Sequence, residues 1–276
     1  DHVVQTSMLD SRLICGSETT YHQVRKQFKL NIEKNGIKLL KSKILERKKR
    51  VVEIGYDYFR NEPNLKESEG SLRDINLIFW GLQIFKLSDS TSSEKFINLL
   101  SKKERRQLRI SHEFLLSLRC HLHYQSERAN DKLSFDYQQS ISKQIYKNLK
   151  FQKNQNTNFL VEKMMKVYFQ QISNTKNLAE IFSRSLEKEF QNTSKKNTSL
   201  ISTKRPENLV NFFLRNLSNG RNSIYEQRLV LKYVNDMKQT EILNSENLKF
   251  FKKIFFSSKQ DRFILLYDLG VISKII

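Results

Sequence analysis

Asn61-Glu62-Pro63-Asn64-Leu65-Lys66-Glu67-Ser68-Glu69-Gly70-Ser71-Leu72-Arg73-Asp74-Ile75 separates two stretches of helical periodicity. Its reading decides how the first half of the chain folds. Upstream, Val24, Phe28, Ile32, Ile37, Leu40 and Ile44 recur at spacings of mostly three to five, which lays one apolar stripe along a long amphipathic helix. Inside the break, Pro63 biases Glu62 toward extended backbone, Gly70 supplies conformational freedom, and Asn61-Glu62-Pro63-Asn64 is turn chemistry. Ser71 then opens a new apolar run, with Asp74 three residues on in the capping-box position and Ile75, Leu77, Ile78, Phe79 and Trp80 behind it. The plain reading is a tight loop feeding a helix whose first amides Ser71 and Asp74 satisfy. The functional reading adds that a Gly-bearing loop ahead of a helix N-terminus offers backbone N–H groups, and the cations of Lys66 and Arg73, to phosphates.

Working outward, a second box, Thr91 with Glu94, predicts another helix start, and two more stripes have helical spacing. These are Leu108, Leu115, Leu118 and Leu122, and Val161, Met165, Tyr168 and Ile172. Residues 191–207 are polar, end near Pro206 and read as a linker. Beyond it lie shorter helical patterns at 209–217, 224–234 and 248–256, then an apolar run from Phe263 with Gly270 as a cap before Val271. Glycine and proline number 7 and 2, where average usage would place roughly 33 in a chain of this length. That excludes collagen-like and Gly/Pro-rich linker classes, and it argues against a sandwich or barrel of many short strands, which needs turn-makers at every corner. The expectation is an all-α, bundle-like domain.

The formal net charge is +20, and Cys15 and Cys120 allow at most one bridge, which suits a reducing compartment. No apolar run approaches the ~18 residues of a membrane span, so no membrane is expected and the chain reads as cytoplasmic. The densest basic cluster lies between Arg25 and Arg50 and includes Lys26, Lys29, Lys34, Lys38, Lys41, Lys43, Arg47, Lys48 and Lys49. It reads first as a solvated helical face, second as a field that attracts phosphates or an acidic partner. His121 and His123 sit about 200° apart on a helix and cannot clasp one ion, and HExxH, CxxC and glycine phosphate fingerprints do not occur. No metal ligands and no complete active site are expected in this chain.

The loop and its flanks carry more than periodicity. Glu62-Pro-Asn-Leu-Lys-Glu-Ser-Glu-Gly-Ser-Leu-Arg-Asp-Ile75 resembles the Glu-Pro-Asn-Leu-Lys-Glu-Gly-Pro-Gly-Gly-Leu-Arg-Asp-Ile signature of the bacterial PII-protein uridylyltransferase/uridylyl-removing enzymes. Thr6-Ser-Met-Leu-Asp10-Ser-Arg12-Leu-Ile-Cys-Gly16 resembles the Thr-x-Leu-Leu-Glu-x-Arg-Leu-Leu-x-Gly stretch that follows that family's nucleotidyltransferase core. Leu118-Arg119-Cys-His-Leu122-His123 with Asp131-Lys-Leu133-Ser-Phe135-Asp136-Tyr-Gln138, and Val161-Glu162-Lys-Met-Met165-Lys-Val-Tyr168, are similar to further motifs in the same order. The tail from Arg262 looks like the approach to the family's phosphohydrolase domain. Within the signature, Ser68, Glu69 and Ser71 stand where the family has Gly, Pro and Gly.

The resemblance implies residues 1–60 as the edge of a nucleotidyltransferase domain, 61–190 as the family's helical domain, 191–207 as the linker, and 208–276 as helices leading toward a phosphohydrolase domain. It implies transfer of UMP from UTP to a tyrosine of the PII nitrogen-signalling protein in a bacterial cytoplasm, with Mg²⁺ held by residues outside this chain. The isolated chain is expected to lack transferase activity. Lys66, Arg73 and Arg119 would be supporting cations, with Gly70 and His123 beside them, while Glu67 and Asp74 would orient them. Arg119 and His123, four apart on one helical face, suit a phosphate, a carboxylate or a structural contact with a neighbouring helix. Asp131 suits pairing with Arg128 or Arg119. Asp136 reads as an N-cap and Phe135 as a core anchor. The competing readings are the helical domain of a glutamine-synthetase adenylyltransferase and a non-enzymatic basic helical module for nucleic acid or an acidic partner; nucleic acid is not expected, since that reading rests on charge alone.

Overall fold

The computed structural model describes residues 2–54, 61–88, 97–146 and 157–192, with single helical positions at 245, 249 and 252. Its helices are α1 (His2–Leu9), α2 (Glu18–Ile54), α3 (Leu72–Leu87), α4 (Lys102–Ser126), α5 (Phe135–Ile145) and α6 (Thr157–Asn192). Among the described residues the extended pairing is a single bridge, Asn64 with Lys132, so the all-α expectation holds. No described helix is long and apolar enough to cross a membrane. The chain divides into two compact units, Asp1–Phe182 and Ser183–Ile276. The second unit is described at helical residues 183–192 and at the three single positions, so the linker from 193 onward and most of the later patterns lie outside the described residues, as does the Thr91–Glu94 box.

The first unit is built on the stripes. Leu108, Leu115, Leu118 and Leu122 are buried along α4, and Met165, Tyr168 and Ile172 along α6. On α2 the buried face is Ile32, Gly36, Leu39, Leu40, Ile44 and Arg47, whereas Val24 and Ile37 of the expected stripe are exposed. The stripe is narrower than its spacing suggests because a 37-residue helix meets its neighbour along part of one side only. That neighbour is α3, which comes close enough that a Cβ on Gly36 would stand 2.7 Å from Ile84 Cγ2. α3 also packs against α1 and α4, and α4 against α5. Phe182 from α6 fills the space at Gly81, where a Cβ would lie 2.3 Å from the ring.

Two short segments tie these helices together. The turn after α1 is held by Arg25, which donates to the Met8 carbonyl (2.9 Å), and by Asp10, which accepts from Trp80 Nε1 and Gln83 Nε2 (both 3.1 Å). The 61–71 loop lies against the 131–134 segment: Leu65 N–H donates to the Asp131 carbonyl (2.8 Å) and Leu133 N–H to that of Pro63 (2.9 Å). Leu65 and Leu133 are fully buried anchors. Phe135, the expected anchor, is 54% exposed, because α5 begins there and turns the ring outward. Asp136 is likewise inside the first turn of α5 rather than at its N-cap, which is Ser134. The Phe135 amide is instead taken by the Glu62 carboxylate across the loops (3.0 Å), so a side chain distant in sequence does the capping.

Candidate functional site

The loop that opened the sequence reading is folded by its own polar side chains. Asn64 Oδ1 accepts from the amides of Lys66 (2.9 Å) and Glu67 (2.8 Å), while Ser71 Oγ donates to the Asn64 carbonyl (3.2 Å). Gly70 sits at φ +79, and a Cβ there would lie 2.4 Å from the Ile172 carbonyl oxygen of α6. Left-handed backbone and close approach together demand glycine at this position. Its amide donates to Asp74 Oδ2 (2.9 Å), so in this structure the Gly70 N–H is directed to a buried carboxylate. The expected Ser71–Asp74 capping box does not form: Ser71 is the N-cap without a side-chain cap bond. Asp74 has been drawn to stronger donors.

Its partners are two arginines on α2. Asp74 is fully buried, accepts from Arg50 Nη2 and forms an ion pair with Arg47 Nε (3.1 Å). Arg47 also meets Glu180 of α6 (3.0 Å) and Glu69 (3.5 Å), and Glu69 meets Lys176 (3.5 Å). Arg47, Arg50 and Lys176 thus balance Asp74, Glu69 and Glu180, and this inner layer is neutral. Burial would lower the Arg47 pKa, but the charges of Asp74, Glu180 and Glu69 outweigh it and raise it, so the guanidinium stays charged inside the fold. Sequence reading placed Arg47 in a solvated cluster. The signal that marks it is its position three residues after Ile44, on the buried face of α2.

Over this layer runs an outer ladder of alternating sign. Lys43 Nζ pairs with Glu46 (2.8 Å), Glu46 with Arg73 Nη1 (3.1 Å), Arg73 Nε with Glu67 (2.7 Å), and Glu67 with Lys66 (3.9 Å). The charge of Lys66 reaches Asp131, to which Arg119 Nε donates (2.6 Å) and from which His123 Nε2 lies 3.3 Å. Burial alone would raise the Asp131 carboxyl pKa; the hydrogen bonds from Arg119 and His123 and the charges of Arg119 and Lys66 hold it below its ordinary value. Burial opposes a similar lowering at Glu46, where Lys43, Arg73 and Arg50 prevail. Four permanent cations against three carboxylates leave this outer layer net positive before His123 is counted. Lys43, Arg50, Arg73, Leu77 and Trp80 line an open cleft beside it.

The structure therefore brings Lys66, Glu67, Arg73, Arg119 and His123 into one connected system, with Asp131 as the link between loop and α4. Of the two partners open to Asp131, Arg119 is the one it takes. Gly70 and Asp74 lie beneath, and Asp74 orients Arg47 and Arg50 rather than Lys66, Arg73 or Arg119. Glu69 faces Arg47 and Lys176. Each of the carboxylates named here is engaged by a cation, and among the described residues no three His, Cys, Asp or Glu side chains converge as metal ligands would. These residues do not fit a Mg²⁺ site.

The chain is 28% identical over 200 residues to a bifunctional uridylyltransferase/uridylyl-removing enzyme of Phenylobacterium zucineum, covering 72% of this chain and 21% of that protein. It is 30% identical over 192 residues to the enzyme of that name from Erythrobacter litoralis (69% and 20%) and 30% over 199 residues to that of Azospirillum brasilense (71% and 21%). The chain thus spans about a fifth of the length of these relatives. No solved structure matches it. The family model described as GlnD PII-uridylyltransferase matches residues 38–183, which contain every residue of the inner layer and of the outer ladder. With more than half of its length matched in this way, the chain belongs to the GlnD PII-uridylyltransferase family.

Proposed function

We propose that this chain is the helical part of a bifunctional uridylyltransferase/uridylyl-removing enzyme of the bacterial cytoplasm, acting on UTP and on a tyrosine of the PII nitrogen-signalling protein. The observation that carries the reading is the outer ladder, whose Lys66, Arg73 and Arg119 lie within the family match and are held in place by carboxylates. Attack on an α-phosphate concentrates negative charge on phosphate oxygens, and fixed cations stabilise that charge best when they need no reorganisation. Glu46 and Glu67 grip Arg73 from two sides, so its guanidinium is oriented before any phosphate arrives. The inner layer, whose charges balance, holds α2, α3 and α6 together beneath it. Mg²⁺, held by residues outside this set, would neutralise phosphate charge beside them.

The test is made in the complete enzyme. Arg73→Ala should reduce incorporation of UMP from UTP into PII protein by about tenfold to a hundredfold, with helical content unchanged and partial recovery in Arg73→Lys. An Arg73→Ala enzyme that transfers UMP at the parental rate would remove the ladder from the reaction.

A further inference from the structure

The cleft beside the outer ladder is a groove between α2 and α3, which run antiparallel: Lys43 lies near Trp80 and Arg47 near Asp74. Lys43, Glu46 and Arg50 line it from α2, and Arg73, Leu77 and Trp80 from one face of α3. Trp80 is the one tryptophan of the chain. Its Nε1 is tied to Asp10 (3.1 Å), which fixes the ring, and Lys43 Nζ stands 5.9 Å from the ring centroid. The charges around the cleft are already matched. Lys43 and Arg73 share Glu46, Arg73 also meets Glu67, and Arg47 and Arg50 meet Asp74. An anion therefore gains little here, and phosphate belongs at the other end of the ladder, where Lys66 and Arg119 outnumber Asp131. What the matched groups retain is hydrogen-bonding capacity, since an ammonium has three N–H donors, a guanidinium five, and a carboxylate several lone pairs. Glu46 takes one bond from Lys43 (2.8 Å) and one from Arg73 (3.1 Å), which exhausts none of the three. The side chains of Glu46 and Arg73 are 44% and 35% exposed, so that capacity is open to a ligand. Burial pushes the Glu46 pKa up, but Lys43, Arg73 and Arg50 more than reverse it, so the carboxylate only accepts. The row reads donor, acceptor, donor.

We infer that this cleft seats the uracil ring of the nucleotide, stacked on Trp80 with its imide edge against Lys43, Glu46 and Arg73, an assignment that rests on the uridylyltransferase reading above. Along that edge uracil presents the carbonyl O4, the N3–H and the carbonyl O2, which is acceptor, donor, acceptor. Lys43 and Arg73 donate to the two carbonyl oxygens, and Glu46 accepts from N3–H. Cytosine keeps O2 but has a lone pair at N3 and an amino group at C4. Its lone pair would meet the carboxylate and its amino N–H an ammonium, two mismatches on one edge. Stacking on an aromatic ring accepts any base, so Trp80 supplies affinity and the row of hydrogen-bonding groups supplies the choice. The nucleotide then lies along the ladder, with its base at the charge-matched end and its phosphates toward the cations in excess.

The fluorescence of Trp80 in the full chain tests this directly, with N-acetyltryptophanamide as the control for absorption by the nucleotide. UMP should quench it saturably, CMP with about tenfold lower affinity, and inorganic phosphate at equal ionic strength not at all. Glu46→Gln replaces the obligate acceptor by an amide that can turn its N–H toward the cytosine lone pair. It should bring CMP to within about threefold of UMP, with far-UV circular dichroism unchanged. In the complete enzyme the same variant should narrow the preference for UTP over CTP by a similar factor. Trp80→Leu should raise the KM for UTP about tenfold with a smaller effect on kcat, and Trp80→Phe should recover most of the loss. Equal quenching by UMP and CMP, quenching by neither, or a UTP preference that survives Glu46→Gln overturns the inference. The ladder stands or falls separately. Loss of transfer in Arg73→Ala together with equal quenching by the two nucleotides strikes the base seat alone, and selective quenching with parental transfer in Arg73→Ala strikes the ladder alone.

Discussion

Asp74 illustrates how one side chain can leave a local role for a tertiary one. As the third residue of α3 it is placed to cap, yet it is fully buried between Arg47 and Arg50 and also receives the Gly70 amide. Charge-assisted bonds in a buried setting outweigh a neutral cap bond by about a factor of two. Asp74→Asn keeps the shape but leaves two guanidiniums without their shared counter-charge, and should destabilise the fold by about 3–5 kcal/mol. Arg47→Met should cost less, because Arg50 still neutralises Asp74 and an apolar side chain replaces a desolvated cation. Urea titrations of both variants measure this order, and an Asn variant with the parental midpoint would show that Asp74 carries no charge-dependent load. Ser71 keeps an ordinary φ of −83, and positive φ is confined to Gly16, Gly70 and Glu127 among the described residues. Serine at the family's glycine positions 68 and 71 therefore introduces no left-handed strain, and the residue that needs φ +79 is still glycine.

At the scale of elements, what the sequence made legible is what repeats locally. The α4 and α6 stripes could be read because buried residues three and four apart recur several times in one window. The break at 61–71 could be read because proline, asparagine and glycine act within a few residues. The inner ion cluster could not, since Arg47 finds Glu180 133 positions away and neither residue carries a local mark of that meeting. The capping reading failed for a related reason: at Ser71 a distant partner claimed the N3 carboxylate. A box with no such competitor formed where it had not been singled out, at Ser101 and Glu104, whose side chains and amides bond reciprocally (2.7 and 3.2 Å). Ser101→Ala should lower stability by about 1 kcal/mol and speed hydrogen exchange of the first-turn amides of α4. Unaltered exchange at Glu104 would mean the box contributes nothing there.

For the whole molecule, local pairing and overall charge act in the same direction as acid is added. The carboxyls of Glu46 and Asp131 have folded pKa values below their ordinary ones, so the stability they contribute is present above about pH 4 and disappears as the pH falls through the folded values. Over that interval a chain already at +20 loses its remaining negative charges, and self-repulsion grows. The melting temperature should therefore vary little between pH 6 and 5 and drop steeply below about pH 4. Asp131→Asn should melt lower than the parent at pH 6 and show a shallower decline, because one of the groups that take up protons on acid unfolding is gone. Added salt separates the two contributions: it screens repulsion across the surface but leaves protonated carboxyls protonated. At pH 3 salt should raise the melting temperature of parent and Asp131→Asn alike, and their difference should stay small. A parent and variant that decline in parallel from pH 6 to 3 would show that the clasp between the 131–134 segment and α4 does not depend on the ionised carboxylate.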